Sequence, residues 1–246
     1  MDALLPSDSP VLFERGLLLR GVLAMDMLPS GVRNAIAAAG PGLLDHRQLL
    51  VFGHAGPRMW RALRKAQPEP WTSANPVDEF SLATVRTHLE DELSVHRWAP
   101  LYPGPALVPL QDLGTLLGWH QPSPLLVGIS EAFGTWFAYR AVVVADSSLP
   151  LTPPAGPQPS PCSTCLEKPC LSACRGAALT TGTLSLDRCT TFRASEASPC
   201  ALRCPAREAC PIGAEHRYDA DQIRYHYGAS LATIRGMRRS TFPRST

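Results

Sequence analysis

All eight cysteines of this chain, Cys162, Cys165, Cys170, Cys174, Cys189, Cys200, Cys204 and Cys210, fall inside 49 residues, and the 161 residues before them contain none. Four sit in the single stretch PCSTCLEKPCLSAC, residues 161–174. Thiols this close can bridge one another or hold metal. A tetrahedral site needs four thiolates around one centre, and neighbouring cysteines supply two or three of them at little cost in chain entropy. Disulfides are disfavoured in a reducing compartment, and the compartment expected here is the cytoplasm. MDALLPSDSP lacks the basic opening of a secretory signal. No apolar run reaches the roughly 20 residues of a membrane span, since GLLLRGVLAM (16–25) is short and broken by Arg20.

The spacing separates the possible metals. Zinc sites pair two cysteine knuckles a dozen or more residues apart, whereas bacterial ferredoxins thread four cysteines through one turn and send the last to a second cluster. The first run here reads Cys-x2-Cys-x4-Cys-x3-Cys, two residues longer before Cys170 than the ferredoxin pattern and with Arg175 in place of its proline. ACPIGA (209–214) carries the Cys-Pro step in its usual form. Eight cysteines match two 4Fe–4S clusters with none left over; one cluster with spare thiols and zinc are the other arrangements. By the crossing rule, Cys162, Cys165 and Cys170 share a cluster with Cys210, and Cys174 joins Cys189, Cys200 and Cys204.

PLTPPAGPQPSP (150–161), with six prolines in twelve positions, continues neither a helix nor a central strand and reads as an extended linker. Before it, QLLVFGHAG (48–56) predicts a buried strand, and PRMWRALRKA (57–66) a helix with Pro57 at its first position. NPVDEFSLATVRTHLEDEL (75–93) predicts a helix with Asn75 as its cap and Leu82, Val85, Leu89 and Leu93 at helical steps. PLLVGI (124–129) and FAYRAVVVA (137–145) predict strands. After Cys210 the pattern loses periodicity and reads as a basic, solvated tail with Arg235, Arg238, Arg239 and Arg244.

Residues 1–150 carry 11 basic and 14 acidic side chains and residues 151–246 carry 12 and 7. Neither balance is extreme enough to call for nucleic acid or a membrane surface. No dinucleotide fingerprint is present, because GPGLL and GHAG lack the spacing and the later acid that such a site needs. Electrons would therefore arrive from a separate electron-donor protein, a reductase, flavodoxin or ferredoxin.

LGWHQPSPLLVGISEAFGTWFAYRAVVVADSSLPL (117–151), followed by the cysteine run and by LDRC (186–189), is similar to the core of epoxyqueuosine reductases, iron–sulfur and cobalamin proteins related to reductive dehalogenases. The resemblance covers roughly residues 100–215. It implies an N-terminal α/β domain that cradles cobalamin against a ferredoxin-like domain with two clusters. It also makes Trp119, His120 and Trp136 the candidate cofactor-binding residues. The departures lie on both sides of Trp119. Where the family has Asp-Ser-x-Pro-x-x-Glu-Arg this chain reads YPGPALVP (102–109), so Tyr102 takes the place of the acid and Val108 that of the glutamate; Gly-Lys-Asn-Thr is replaced by QPSP (121–124). A tyrosine, with an ordinary pKa near 10, is a poor general acid at neutral pH.

His216 and His226 lie where they could tune a cluster, and Phe133, Trp136, Phe137 and Tyr139 form an aromatic block that suits a core strand as well as a cofactor pocket. Glu131 and Asp146 become acids of interest only if buried, and Asp112 is expected to face water. The expectation is an α+β protein: an N-terminal α/β docking domain (1–149), a Pro-rich linker (150–161), a ferredoxin-like domain with two 4Fe–4S clusters (162–218) and a basic tail (219–246). Its expected function is electron transfer, as an iron–sulfur oxidoreductase delivering single electrons to bound cobalamin or another acceptor. A full cobalamin-dependent reductase acting on a small or tRNA-bound substrate and a zinc-binding interaction module are the alternatives. No catalytic residue is assigned.

Overall fold

The structure, a computed structural model, describes residues 9–156, 158–180 and 183–241, the side chains of 239–241 excepted. The chain divides into two compact units: one holds the chain up to His120 together with Phe137–Gln158, and the other holds Gln121–Trp136 and the chain from Pro159 onward.

The first unit is built on an antiparallel sheet in the order β1-β2-β4-β3, with β1 at Leu19–Ala24, β2 at Gln48–Ala55, β3 at Trp98–Tyr102 and β4 at Phe137–Ala145. Every residue of β2 is buried, as the apolar run LLVF within QLLVFGHA leads one to expect of a strand covered on both faces. Pro100, which cannot donate to a ladder, sits in the edge strand β3. A bulge opposite Phe52 and Gly53 leaves Arg140 as the extra residue of β4.

Helices α1 (Pro10–Glu14), α2 (Ser30–Ala39), α3 (Arg58–Ala66), α4 (Pro76–Thr87) and α5 (Leu110–Leu116) complete this unit. Pro57 caps α3 instead of opening it. The side chain of Asn75 makes no capping bond to α4; Ser73 takes that part, accepting the Asn75 N–H at 2.9 Å and donating to Glu79 at 2.7 Å. The buried face of α4 runs through Val77, Phe80, Ser81, Thr84 and Val85. The hydroxyls of Ser81 and Thr84 are satisfied by carbonyls one turn back, Val77 and Phe80, each at 2.7 Å. The Pro-rich stretch is tied to this unit at its start. Thr152 N–H donates to Val22 O at 2.8 Å, and Ala155 N–H to Leu116 O at 3.1 Å.

The helix continues past α4 as a π-turn, His88–Glu92, which carries the unit's best-defined carboxylate. Glu92 accepts from Ser9 Oγ at 2.6 Å, from Val11 N–H at 2.9 Å and from His88 Nδ1 at 2.7 Å. Burial pushes this carboxyl up, but the bonds from His88, Ser9 and Val11 outweigh it and the net displacement is below the ordinary 4.5. A depressed carboxylate stabilises the fold above its unfolded value and ceases to do so as pH falls through its folded value. Glu92→Gln is therefore expected to cost about 1–2 kcal/mol at neutral pH, the scale of lost bonds to a charged acceptor. In urea unfolding, the gap between variant and parent should narrow as the pH drops below 4.5.

The second unit is made of short pieces: α6 (Pro161–Thr164), α7 (Pro169–Ser172), a β5–β6 hairpin (Leu179–Thr180, Thr183–Leu184), α8 (Leu186–Ala194), α9 (Pro205–Glu208) and the 22-residue α10 (Ala220–Thr241). Two sequence expectations fail here. Residues 124–129 form a turn and not a strand: Leu126 has a left-handed φ of 57°, Ser123 Oγ bonds Val127 O at 2.7 Å, and Gln121 bridges Ile129. Pro124 removes a ladder donor, and Leu126 and Val127 are exposed. The supposed solvated tail is helical because Ile223, Tyr227 and Leu231 recur at four-residue steps. Ile223 and Leu231 are buried, and Tyr227 packs on the Trp136, Tyr218 and Ile223 cluster. Arg224 and Arg235 fall on the exposed side.

Candidate metal centre

The cysteines sit on two copies of one local frame. Ser160-Pro161-Cys162 and Ser198-Pro199-Cys200 each turn the chain so that the serine hydroxyl accepts the cysteine N–H, at 3.2 and 3.3 Å. Downstream, Pro169-x3-Ala173-Cys174 and Pro205-x3-Ala209-Cys210 each form a one-turn helix opened by proline. Each turn closes with the alanine N–H on the proline carbonyl, at 3.0 and 2.9 Å, and the cysteine N–H on the third residue's carbonyl, at 3.3 Å in both. The two helices α7 and α9 pack together. Cys189 comes from α8, whose N-terminus is capped by Ser185.

All eight thiols are free, and their mutual influence sorts them. Burial pushes the Cys170 thiol up, and Cys210, Cys162 and Cys165 add to it; burial also raises Cys210, again with Cys162 and Cys165 contributing against a lowering bond from Ile212 N–H. Burial raises Cys189, with Cys204 and Cys174 adding and Arg193 opposing. Burial likewise raises Cys200, with Cys204, Cys174 and Cys189 adding. Two quartets result, one of Cys162, Cys165, Cys170 and Cys210, the other of Cys174, Cys189, Cys200 and Cys204. Thiols that resist ionisation alone become good ligands when a metal takes the place of the proton.

The second quartet lines a cavity of about 370 Å³ whose walls include Leu179, Leu184, Phe192 and Tyr227. Ala178 N–H donates to Cys174 Sγ at 3.3 Å, the kind of bond that steadies a sulfur carrying negative charge. Among the described residues, no three of His, Cys, Asp and Glu converge closely enough to hold a single metal ion. The four thiols, apolar walls and backbone donor of the second quartet fit a group held by four thiolates.

Trp119 is 3% exposed and stacks on Tyr139 with ring centroids 6.3 Å apart; His120 is buried beside it. Burial lowers the His120 imidazole, with Asp112 opposing. Trp136 lies in the second unit, 1% exposed, edge-on to Tyr218 at 5.3 Å and covered by the Arg207 guanidinium at 4.4 Å. All three residues are buried. His216 meets Phe133 edge-on at 4.9 Å, and His226 meets Tyr225 at 5.2 Å. Asp146 pairs with Arg97 and with His46, and Glu131 is exposed.

Sequence reasoning missed two groups. One is the set of cationic and aromatic residues around the second quartet, Arg193, Arg207 and Tyr227, scattered over three helices. The other surrounds Tyr102. Burial raises its phenol, with Arg140 lowering it and Asp78 raising it; burial also raises the Asp78 carboxyl against Arg140. Arg140 Nε–H donates to His54 Nδ1 at 2.9 Å. A carboxyl held protonated further up the pH scale is what a proton donor needs, and only the β4 bulge and the first turn of α4 bring these residues near one another.

No family model matches the chain, and no curated protein matches it. Among solved structures it is similar to epoxyqueuosine reductase from Streptococcus thermophilus, with 13% identity and a TM-score of 0.48 over 82% of this chain and 64% of that one. It is similar also to epoxyqueuosine reductase from Bacillus subtilis, with 12% identity and a TM-score of 0.48 over 85% and 66%. A third is an epoxyqueuosine reductase with an epoxyqueuosine-modified tRNA-Tyr stem loop, with 12% identity and a TM-score of 0.49 over 85% and 65%. The chain spans just under two thirds of the length of each.

Proposed function

We propose that the chain is an iron–sulfur protein of the epoxyqueuosine reductase type, which holds two 4Fe–4S clusters and delivers single electrons to bound cobalamin or another acceptor. The observation that carries this reading is the sorting of eight thiols into two quartets, each combining cysteines from both halves of the repeat. Cys162, Cys165, Cys170 and Cys210 would hold one cluster and Cys174, Cys189, Cys200 and Cys204 the other. Such clusters supply one-electron chemistry over a range of potentials set by sulfur hydrogen bonds, charge and solvent exposure.

The chain's own residues shape that environment. Leu179, Leu184 and Phe192 give the second quartet's cavity apolar walls, and Ala178 N–H donates to Cys174 Sγ. Cobalamin as the acceptor rests on the sequence resemblance. Trp119, His120 and Trp136, the residues the resemblance points to, are buried.

Protein purified without oxygen is expected to be brown and to contain about eight irons per chain, the content of two 4Fe–4S clusters. A colourless preparation containing zinc would overturn the reading in favour of an interaction module. Titration with cobalamin tests the acceptor: a change in the cobalt spectrum supports it, and an unchanged spectrum leaves a carrier that serves another acceptor.

A further inference from the structure

The wall of the second quartet contains four arginines, and they are held in different ways. Arg175 is exposed. Arg203 is 60% exposed and paired with the Glu208 carboxylate, so its charge is compensated and hydrated. Arg207 is turned onto Thr135 and the Trp136 ring. Arg193, four residues after Cys189 and therefore on the same side of α8, is half-buried. Its Nε–H donates to Cys200 O at 3.2 Å. One terminal nitrogen donates to Tyr227 O at 3.1 Å and Ala201 O at 3.5 Å, and the other to Ser230 Oγ at 3.1 Å. The guanidinium lies 5.0 Å from the centre of the Tyr227 ring. Among the described residues none of these partners is a carboxylate. A full positive charge is thus fixed by neutral acceptors from α8's own neighbourhood and from α10, beside an apolar cavity where charges are weakly screened.

We infer that Arg193 is a potential-setting residue for the Cys174, Cys189, Cys200 and Cys204 cluster, where its uncompensated charge favours the reduced state. This rests on the cluster reading above. One-electron reduction adds a negative charge within the cavity, and a fixed cation at the wall lowers the cost of that charge without moving any atom. Arg193 also joins the Cys200 segment to α10, so the test has to separate charge from scaffolding.

Iron content and potentiometric titration followed by electron paramagnetic resonance are to be measured on anaerobic Arg193→Gln, Arg193→Lys and Arg203→Gln chains. Arg193→Gln is expected to keep its iron while one cluster becomes harder to reduce, the other staying in place. Its ratio of reduced to oxidised form at a fixed potential should fall about tenfold, the lower end of outer-sphere effects, or about 59 mV for one electron. Arg193→Lys keeps the charge and should titrate close to the parent, and Arg203→Gln should not shift. Full iron with unmoved potentials in Arg193→Gln overturns the inference and leaves the cluster reading standing. Equal shifts in the Gln and Lys variants, or in Arg203→Gln, overturn it as well. A parent chain that binds no iron overturns both.

Discussion

A chain carrying Cys170→Ala and Cys210→Ala together is expected to retain about four irons, while one carrying Cys170→Ala and Cys174→Ala is expected to retain almost none. The pair Cys170 and Cys174 are near neighbours in sequence, and an arrangement in which each cysteine run fills its own site would lose a single cluster from that double change. The proposed quartets put them in different sites, because Cys170 is influenced by Cys210 and Cys174 influences Cys189 and Cys200. The pair Cys170 and Cys210 are forty positions apart and share one site. Iron per chain, with the amplitude of the reduced-cluster resonance, distinguishes the two topologies in one comparison. The reverse pattern, with Cys170→Ala/Cys174→Ala retaining half and Cys170→Ala/Cys210→Ala retaining nothing, would refute the crossing. Alanine is the better replacement, since a serine oxygen can still ligate and blur the count.

In each copy of Pro-x3-Ala-Cys the short helix ends at the alanine that directly precedes the cysteine. This repeat can be read in the sequence once SPCSTCLEKPCLSAC and SPCALRCPAREAC are set side by side. The spacing of the cysteines carried most of the site, because thiols a few residues apart have few places to go. The central strands were legible for the same kind of reason: β2 and β4 are built around the continuous apolar runs LLVF and AVVVA. The helix α10 was not, because its buried positions include Gln222 alongside Ile223 and Leu231, and its arginines mask the period. PLLVGI failed in the opposite sense, its apolar residues suggesting burial where Pro124 and the left-handed Leu126 impose a turn. Arg193 and the Asp78, Tyr102 and Arg140 group were beyond sequence because tertiary packing alone brings them together.

Gly213→Ala is expected to cost on the order of 3 kcal/mol, the upper end of what a residue held in a forbidden backbone region costs, and to remove the Cys210 cluster before the other. Gly213 has a φ of 64°, and a Cβ there would lie 2.2 Å from the Phe133 carbonyl carbon and 2.4 Å from Gly134 N. Its partner in this close approach is Gly134, with a φ of 55°, where a Cβ would lie 1.9 Å from Ile212 O. These neighbours are backbone atoms, so no rotamer change relieves the clash. The 121–136 segment must move away or the 210–213 turn must. The second outcome displaces Ile212, whose N–H lowers the Cys210 thiol against its burial, and so disturbs one ligand of one quartet. Chemical unfolding should show an earlier midpoint, and iron should fall by about half under conditions where the parent is fully loaded. Gly31→Ala is the control: it lies in α2 with nothing within 4 Å of the added carbon and should be neutral or stabilising. A Gly213→Ala chain as stable and as iron-rich as the parent would show that the two glycines do not meet as described, and with them would go the account of how residues 121–136 are held to the cysteine-bearing unit.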